Sequence, residues 1–341
     1  MKRLARVVAL LQVRRVTPAI NGGSEGAPLR RCADRSQRDM RQREPAALIF
    51  TFLNRSLRVR YDRSEVGAYL EHAYADLRAS TPLRGRLDCG EIVCPAGSET
   101  HVLFNGRRIA IPALHGNDDP LAAAFYGAAE LFAASFRNLP AHDTFYGAGL
   151  AAGDGAILLS APSGTGKTTL ALECLRRGAR FYADEFVFVE RSTARVRGFS
   201  RTLMVREETR DLIGDTALQA LLDRSALHAT TAGKIAWRLI GAHDAFGERV
   251  LAEPLPLRHI VLLTRRASRA CRLSKISAAE CVLELLPRTF FARLQPADIW
   301  GLLERYAGAA CYRLEVGDPG EAATVLLDAI ANCRCASTPA A

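Results

Sequence analysis

Short apolar runs broken by polar turns fill the first third of the chain after its basic start. Leu48 to Tyr61 (LIFTFLNRSLRVRY) reads as two strands around Asn54-Arg55-Ser56, a predicted hairpin. From Ser64 the spacing shifts to the helical period, with Val66, Tyr69, Leu70, Ala73 and Leu77 on one face. Asn105-Gly106, between VLF and RRIAI, predicts a second hairpin, because both residues tolerate the left-handed backbone of a tight turn. Asp119-Pro120 opens a helix through about Phe136. The Asp caps the free N–H groups, and Pro sits where no N–H is needed. Residues 46–138 are thus expected to form a small α+β unit without obvious chemistry.

The second half has a different texture. Gly155 to Ser160 (GAILLS) is apolar almost throughout, as a strand buried on both faces would be. A glycine-containing turn follows, then a helix over Thr168 to Arg177 that Gly178 stops. Arg180 to Glu190, Val196 to Val205 and His259 to Thr264 read as extended. Ser277 to Leu286, Pro296 to Ala307 and Glu321 to Ala331 read as helices. No apolar run is long enough for a membrane span, so no membrane partner is expected. The expected layout is an arm over 1–45, the small unit over 46–138, an α/β domain over 139–335 and a tail over 336–341.

Charge sharpens this division. The chain of 341 residues carries a net +10, and residues 1–45 hold ten Arg and one Lys against four acids. The basic excess therefore belongs mostly to the arm, which also lacks interleaved aromatics for base stacking, and this counts against nucleic acid as a partner. Ordered pattern begins only after Met40. The arm reads as disordered, or as translation upstream of the true start. Nine cysteines, scattered and odd in number, show no zinc spacing, so free thiols in a reducing cytoplasm are expected. Only four lysines stand among 42 arginines, which draws attention to Lys167 and Lys234.

Lys167 closes the segment that carries chemistry. Ala161-Pro162-Ser163-Gly164-Thr165-Gly166-Lys167-Thr168 lies between a strand and a helix and has the form of a phosphate-binding P-loop, with Ala in the first Gly position. Gly164 and Gly166 let the backbone turn its N–H groups inward onto phosphate oxygens. The helix N-terminus adds partial positive charge. Ser163, Gly164, Thr165, Gly166, Lys167, Thr168 and Thr169 are the expected nucleotide contacts, Lys167 reaching the β- and γ-phosphates and Thr168 offering its hydroxyl to Mg²⁺. Asp184-Glu185 follows only 17 residues after Lys167. One intervening helix is expected to return the chain beside the P-loop strand and set both carboxylates near the phosphates. The flanking Phe181, Tyr182, Phe186 and Phe188 make the acid pair partly buried, and buried carboxylates need a cation.

The stretch SAPSGTGKTTLALECLRRGARFYADEFVFVE resembles the catalytic core of HPr kinase/phosphorylase, and more closely the HPr kinase-like proteins that lack the HPr-sensing regions. Phe199 to Arg206 is similar to the F-P-R-P-x-x-x-K stretch of that group, with Ser200 for Pro and Arg206 for Lys. The resemblance implies an α/β P-loop core of the HPr kinase/phosphoenolpyruvate carboxykinase type, preceded here by the α+β unit. It implies ATP and Mg²⁺ as cofactors and phosphoryl transfer to a hydroxyl of a protein or peptide acceptor. Lys167 and Asp184 are the expected catalytic residues, Asp184 as base. Thr168 and Glu185 would organise Mg²⁺, and the roles of Asp184 and Glu185 are open to exchange. Arg201 and Arg206 are candidates to meet transition-state charge. Where the family usually has His, this chain has Tyr146, which keeps a hydrogen-bond donor but lacks imidazole chemistry. The HPr-engaging region is not recognisable. The alternative reading is a nucleotide-binding regulatory module with little or no turnover. A homo-oligomer is left open.

Overall fold

The computed structural model describes residues 46–95, 99–111, 114, 119–137, 139–199, 201–229, 236–251, 253–290 and 295–335. The basic arm, the C-terminal tail, Ser200 and Lys234 lie outside the described residues. The described residues form a mixed α/β structure with three sheets.

The first sheet is built from β1 (Ala46–Phe52), β2 (Arg55–Tyr61), β3 (Arg78–Ala79), β4 (Arg86–Val93), β5 (His101–Phe104) and β6 (Arg107–Ile109), in the order β3-β1-β2-β4-β5-β6. The β1–β2 turn is Leu53-Asn54 rather than Asn54 to Ser56, with Leu53 at φ 51°. Asn105 and Gly106 make the expected hairpin turn, both at positive φ. Helix α1 (Ser64–Ala73) buries Val66, Tyr69, Leu70 and Ala73 as its spacing requires. In α2 (Pro120–Phe136) the Asp119 side chain accepts from Leu121 N–H, and Pro occupies the first turn. Phe132 and Phe136 of α2 meet Phe50 and Phe52 of β1.

The large sheet follows, in the order β10-β9-β7-β8-β14-β16-β15. Its first members are β7 (His142–Ala152), β8 (Gly155–Ser160), helix α3 (Lys167–Arg176), β9 (Arg180–Glu190) and β10 (Arg195–Arg197). Two expectations are corrected here. The helix α3 does not return the chain directly beside β8, because β7 lies between β8 and β9, antiparallel to both. Strand β7 (HDTFYGAGLAA) is rich in Gly and Ala, poor strand-formers without alternation, so its sequence gave no signal. Val196 to Val205 is not one extended run either. It splits between β10 and β11 (Leu203–Arg206) at Gly198, where a Cβ would stand 2.9 Å from the Leu251 carbonyl.

After β11 come α4 (Glu207–Arg210), α5 (Thr216–Arg224), β12 (Leu227–Ala229) and β13 (Ala236–Ile240), the strands forming a small sheet in the order β11-β13-β12. The chain then runs through α6 (Ala242–Phe246) back to the large sheet with β14 (Leu255–Arg265), β15 (Arg272–Lys275), α7 (Ala278–Leu285), α8 (Pro296–Tyr306), β16 (Ala310–Val316) and α9 (Pro319–Cys335). Strand β14 is parallel to β8 and β16, and all three are lined with buried aliphatics.

Two features tie the molecule together. Phe136 of α2 packs on Phe186, Phe188 and Phe199 with ring centroids 4.8, 4.9 and 5.4 Å away, so aromatic packing joins the first sheet's elements to β9. Each such pair contributes about 1 kcal/mol beyond its buried area. Second, the buried Asp143 carboxylate at the start of β7 accepts from Arg191 Nε, Arg305 Nε and Tyr306 Oη, each at 2.8 Å. The described cysteines Cys89, Cys94, Cys174, Cys271, Cys281 and Cys311 are free thiols. Among the described residues no helix is long and apolar enough to cross a membrane.

Removing the Asp143 charge leaves two guanidinium groups without their shared acid. Asp143→Asn is expected to cost roughly 3 kcal/mol of stability, read as a fall in the urea midpoint with an unchanged slope. An unchanged midpoint would show that the cluster holds nothing.

Candidate active site

The loop between β8 and α3 is shaped by its two glycines. Gly164 and Gly166 sit at φ 79° and 103°, a left-handed region that a side chain would strain. Gly166 is the N-cap of α3, and the helix begins one residue earlier than expected, at Lys167. That shift places Lys167 in the first turn, with its side chain folded back over the loop. The side chain is only 6% exposed, and Nζ donates to the carbonyls of Ala161 at 2.9 Å and Pro162 at 3.1 Å. Nζ also lies 4.2 Å from the centre of the Tyr146 ring, a cation–π contact. Burial pulls the ammonium down to about 8, although Asp184 and Glu185 work in the other direction.

Register across three strands delivers the carboxylates. Leu159 of β8 pairs with Ala148 of β7, and Ala148 pairs with Asp184 of β9. Paired residues share a sheet face, so Asp184 stands on the α3 side with only the small Ala148 between it and β8. Gly147, the next residue, has no room for a side chain: a Cβ would lie 2.5 Å from the Leu159 carbonyl. The result is a 2.9 Å hydrogen bond from Thr168 Oγ1 to Asp184 Oδ2. Asp184 is 5% exposed, and its other oxygen accepts from Glu185 N–H at 3.1 Å.

Glu185 takes a different course. Its φ is 78°, within strand β9, a conformation that costs a non-glycine residue on the order of 1 kcal/mol. The strain turns the side chain toward Arg201, whose Nη2 stands 2.5 Å from Glu185 Oε2. The two groups touch without good hydrogen-bond alignment, and Arg201 Nε is buried with no acceptor. Burial pushes the Glu185 carboxyl up, while Arg201 pulls it down.

Arg201 itself is 3% exposed. Arg201, a candidate to meet transition-state charge, is paired with Glu185 in this structure. It also reaches Tyr74 Oη at 3.4 Å, and its neighbour Thr202 binds the end of α1 through Thr202 Oγ1 to the His72 carbonyl at 2.6 Å. Residues of the first unit thus back the carboxylate pair, a contribution that the sequence of that unit did not signal. Arg206 is exposed at the end of β11, and its charge is felt at Lys167.

Tyr146 is mostly buried, and burial raises its phenol above the usual value, so it is a proton donor at neutral pH. Its backbone carbonyl accepts from Ser160 Oγ at 3.0 Å. Ser163 and Thr165 stand on the loop; Thr165 Oγ1 donates to the Pro162 carbonyl at 2.9 Å. Thr169 is buried in the first turn of α3. Among the described residues no three His, Cys, Asp or Glu side chains cluster as a metal site. The paired Asp184 and Thr168 oxygens are the hard-oxygen donors here, a set that suits Mg²⁺ when phosphate oxygens and water complete the shell.

No family model matches the chain, and no curated protein matches it. Among solved structures, the Hpr(Ser) kinase/phosphatase from Coxiella burnetii is similar at 10% identity and a TM-score of 0.29, over 57% of this chain and 97% of that one. This is a weak structural likeness to an HPr kinase.

The Lys167 titration has a testable sign. Its folded value of about 8 lies below the ordinary 10.5, so between those values the unfolded chain binds more protons and stability rises with pH. Without ligand, wild type is expected to gain about 2 kcal/mol on Lys167→Met between pH 7 and 10. Parallel unfolding curves for the two proteins would contradict a buried, depressed lysine.

Proposed function

We propose that this protein binds ATP with Mg²⁺ and transfers its terminal phosphoryl group to a hydroxyl of a protein or peptide acceptor. The observation that carries the reading is the 2.9 Å Thr168–Asp184 hydrogen bond at the mouth of the strand–glycine loop–helix segment. It sets a buried carboxylate beside the first turn of the helix, next to an inward lysine, which is the arrangement phosphoryl transfer needs. In this reading the loop amides from Ser163 to Thr168 cradle the phosphates, and Lys167 exchanges the Ala161 and Pro162 carbonyls for phosphate oxygens. Asp184 and Thr168 hold Mg²⁺, whose charge offsets that of the phosphates.

The two acids then take roles exchanged from the simplest expectation. Asp184 is engaged with Thr168, whereas Glu185 carries the raised carboxyl value that suits a general base. Arg201 keeps Glu185 oriented. Protein or peptide as the acceptor class rests on the sequence resemblance. One observation favours the regulatory-module alternative. Tyr146 stands over Lys167 where the resembled family usually has His, and it offers a ring and a donor but no proton acceptor.

Three variants separate the parts. Lys167→Ala is expected to lose ATP binding, and Asp184→Asn to lose the Mg²⁺ dependence of that binding. Glu185→Gln is expected to bind Mg²⁺-ATP within about threefold of wild type while phosphoryl transfer falls by about 10² or more. Tight binding with no transfer or hydrolysis in wild type would favour the module. Unaltered binding in Lys167→Ala would remove the basis of both readings.

A further inference from the structure

The glycine loop has a second side. Beyond Ser163 lies a cavity of about 420 Å³, lined by Tyr146, Pro162 and Ser163 on one wall and by Pro287 to Phe290 on the other. The second wall is pinned to the sheet by its backbone. Phe290 N–H donates to the Thr144 carbonyl at 3.0 Å, and Thr289 bridges Phe145 of β7. Arg288, at the end of the turn after α7, therefore sits at a fixed distance from the loop. Its Nη1 donates to the Glu284 carbonyl at 2.9 Å, and among the described residues no carboxylate lies within ion-pair distance of it.

Burial lowers the Arg288 value more than the Glu284 carboxylate, beyond ion-pair distance, raises it, and an anion in the cavity would offset that desolvation. The Arg288 charge is felt at Lys167, as is that of Arg206. Asp184, which accepts from Thr168, and Glu185, which pairs with Arg201, offset part of this positive charge at Lys167. The remaining lining is rings and prolines with three hydroxyl-bearing residues, Tyr146, Ser163 and Thr289. One wall binds charge and the rest admits an uncharged side chain.

We propose that Arg288 contacts the terminal phosphoryl group of a bound nucleoside triphosphate, and that this cavity receives the hydroxyl-bearing side chain of the acceptor. The inference rests on the phosphate-loop reading above and adds the contact that distinguishes a triphosphate from a diphosphate. In the transfer step the acceptor oxygen forms a bond to the terminal phosphorus. The bond from that phosphorus to the bridging oxygen breaks, and the nucleoside diphosphate leaves with the electron pair. The acceptor proton passes to Glu185. Arg288 is placed to hold the equatorial oxygens throughout, and its planar fork suits them better than an ammonium would.

The test uses the full chain and two probes, Mg²⁺-ADP and the Mg²⁺ complex of a non-hydrolysable ATP analogue, titrated calorimetrically. Arg288→Gln is expected to weaken the triphosphate analogue about ten- to hundredfold and ADP by less than twofold. Arg288→Lys should recover part of the difference. Thermal unfolding of each variant checks the fold. An unchanged ratio of the two affinities in Arg288→Gln would overturn the proposal, as would an equal loss of both probes. If wild type binds neither probe, the phosphate-loop reading fails first and this inference falls with it. If wild type binds both and only the ratio is unmoved by Arg288→Gln, the reading stands and the inference alone is lost.

Discussion

Strand β7 sets the spacing on which the candidate site depends. It is inserted antiparallel between β8, which leads into the glycine loop, and β9, which carries the acid pair. Two strand spacings separate β8 from β9, about 10 Å in all. That gap is closed by side chains only because β7 contributes Gly147 and Ala148 where it passes between them. A larger residue at 147 meets the Leu159 backbone, and one at 148 would fill the space between Asp184 and the first turn of α3. The Thr168–Asp184 hydrogen bond is the product of that register. The Asp143 cluster with Arg191, Arg305 and Tyr306 anchors the other end of β7, so the register is held from a distance as well as locally.

The ligand-free site is charged in a way that favours anions. Lys167 is buried, and loss of water lowers its value although two carbonyls and a tyrosine ring partly replace that water. A polyphosphate would repay that desolvation, because charge-assisted hydrogen bonds to phosphate are stronger than those to carbonyls. Glu185 shows the complementary strain. A positive φ inside a strand and an imperfectly aligned arginine partner persist because the surrounding packing fixes them. The packing in question includes Phe199, Phe186 and Phe136, so the first sheet's elements contribute to the rigidity of the acid pair.

Local signals in the sequence carried most of the elements. Asp119-Pro120 began a helix, Asn105-Gly106 made a hairpin, and GAILLS was a buried strand, because each depends on a few adjacent residues. The glycine loop and the acid pair were legible for the same reason. What stayed hidden was non-local. Strand β7 has a composition that belongs to no strand pattern, and its place is dictated by the two neighbours it separates. The pairing of Arg201 with Glu185 joins residues 16 apart near a bridge between Ala183 and Phe199; the local stretch marked the arginine but not its partner. Arg288 was equally invisible, since its meaning comes from a cavity closed by a loop more than 120 residues downstream of Ser163.

The central claim is that backbone amides from Ser163 to Thr168 bind the phosphates of a nucleotide. Amide hydrogen exchange of the full chain, with and without Mg²⁺-ATP, reads those amides directly. The account predicts slowed exchange confined to this loop, the first turn of α3 and the Asp184-Glu185 segment. Unchanged exchange in the loop at saturating nucleotide, or protection only elsewhere, would contradict it.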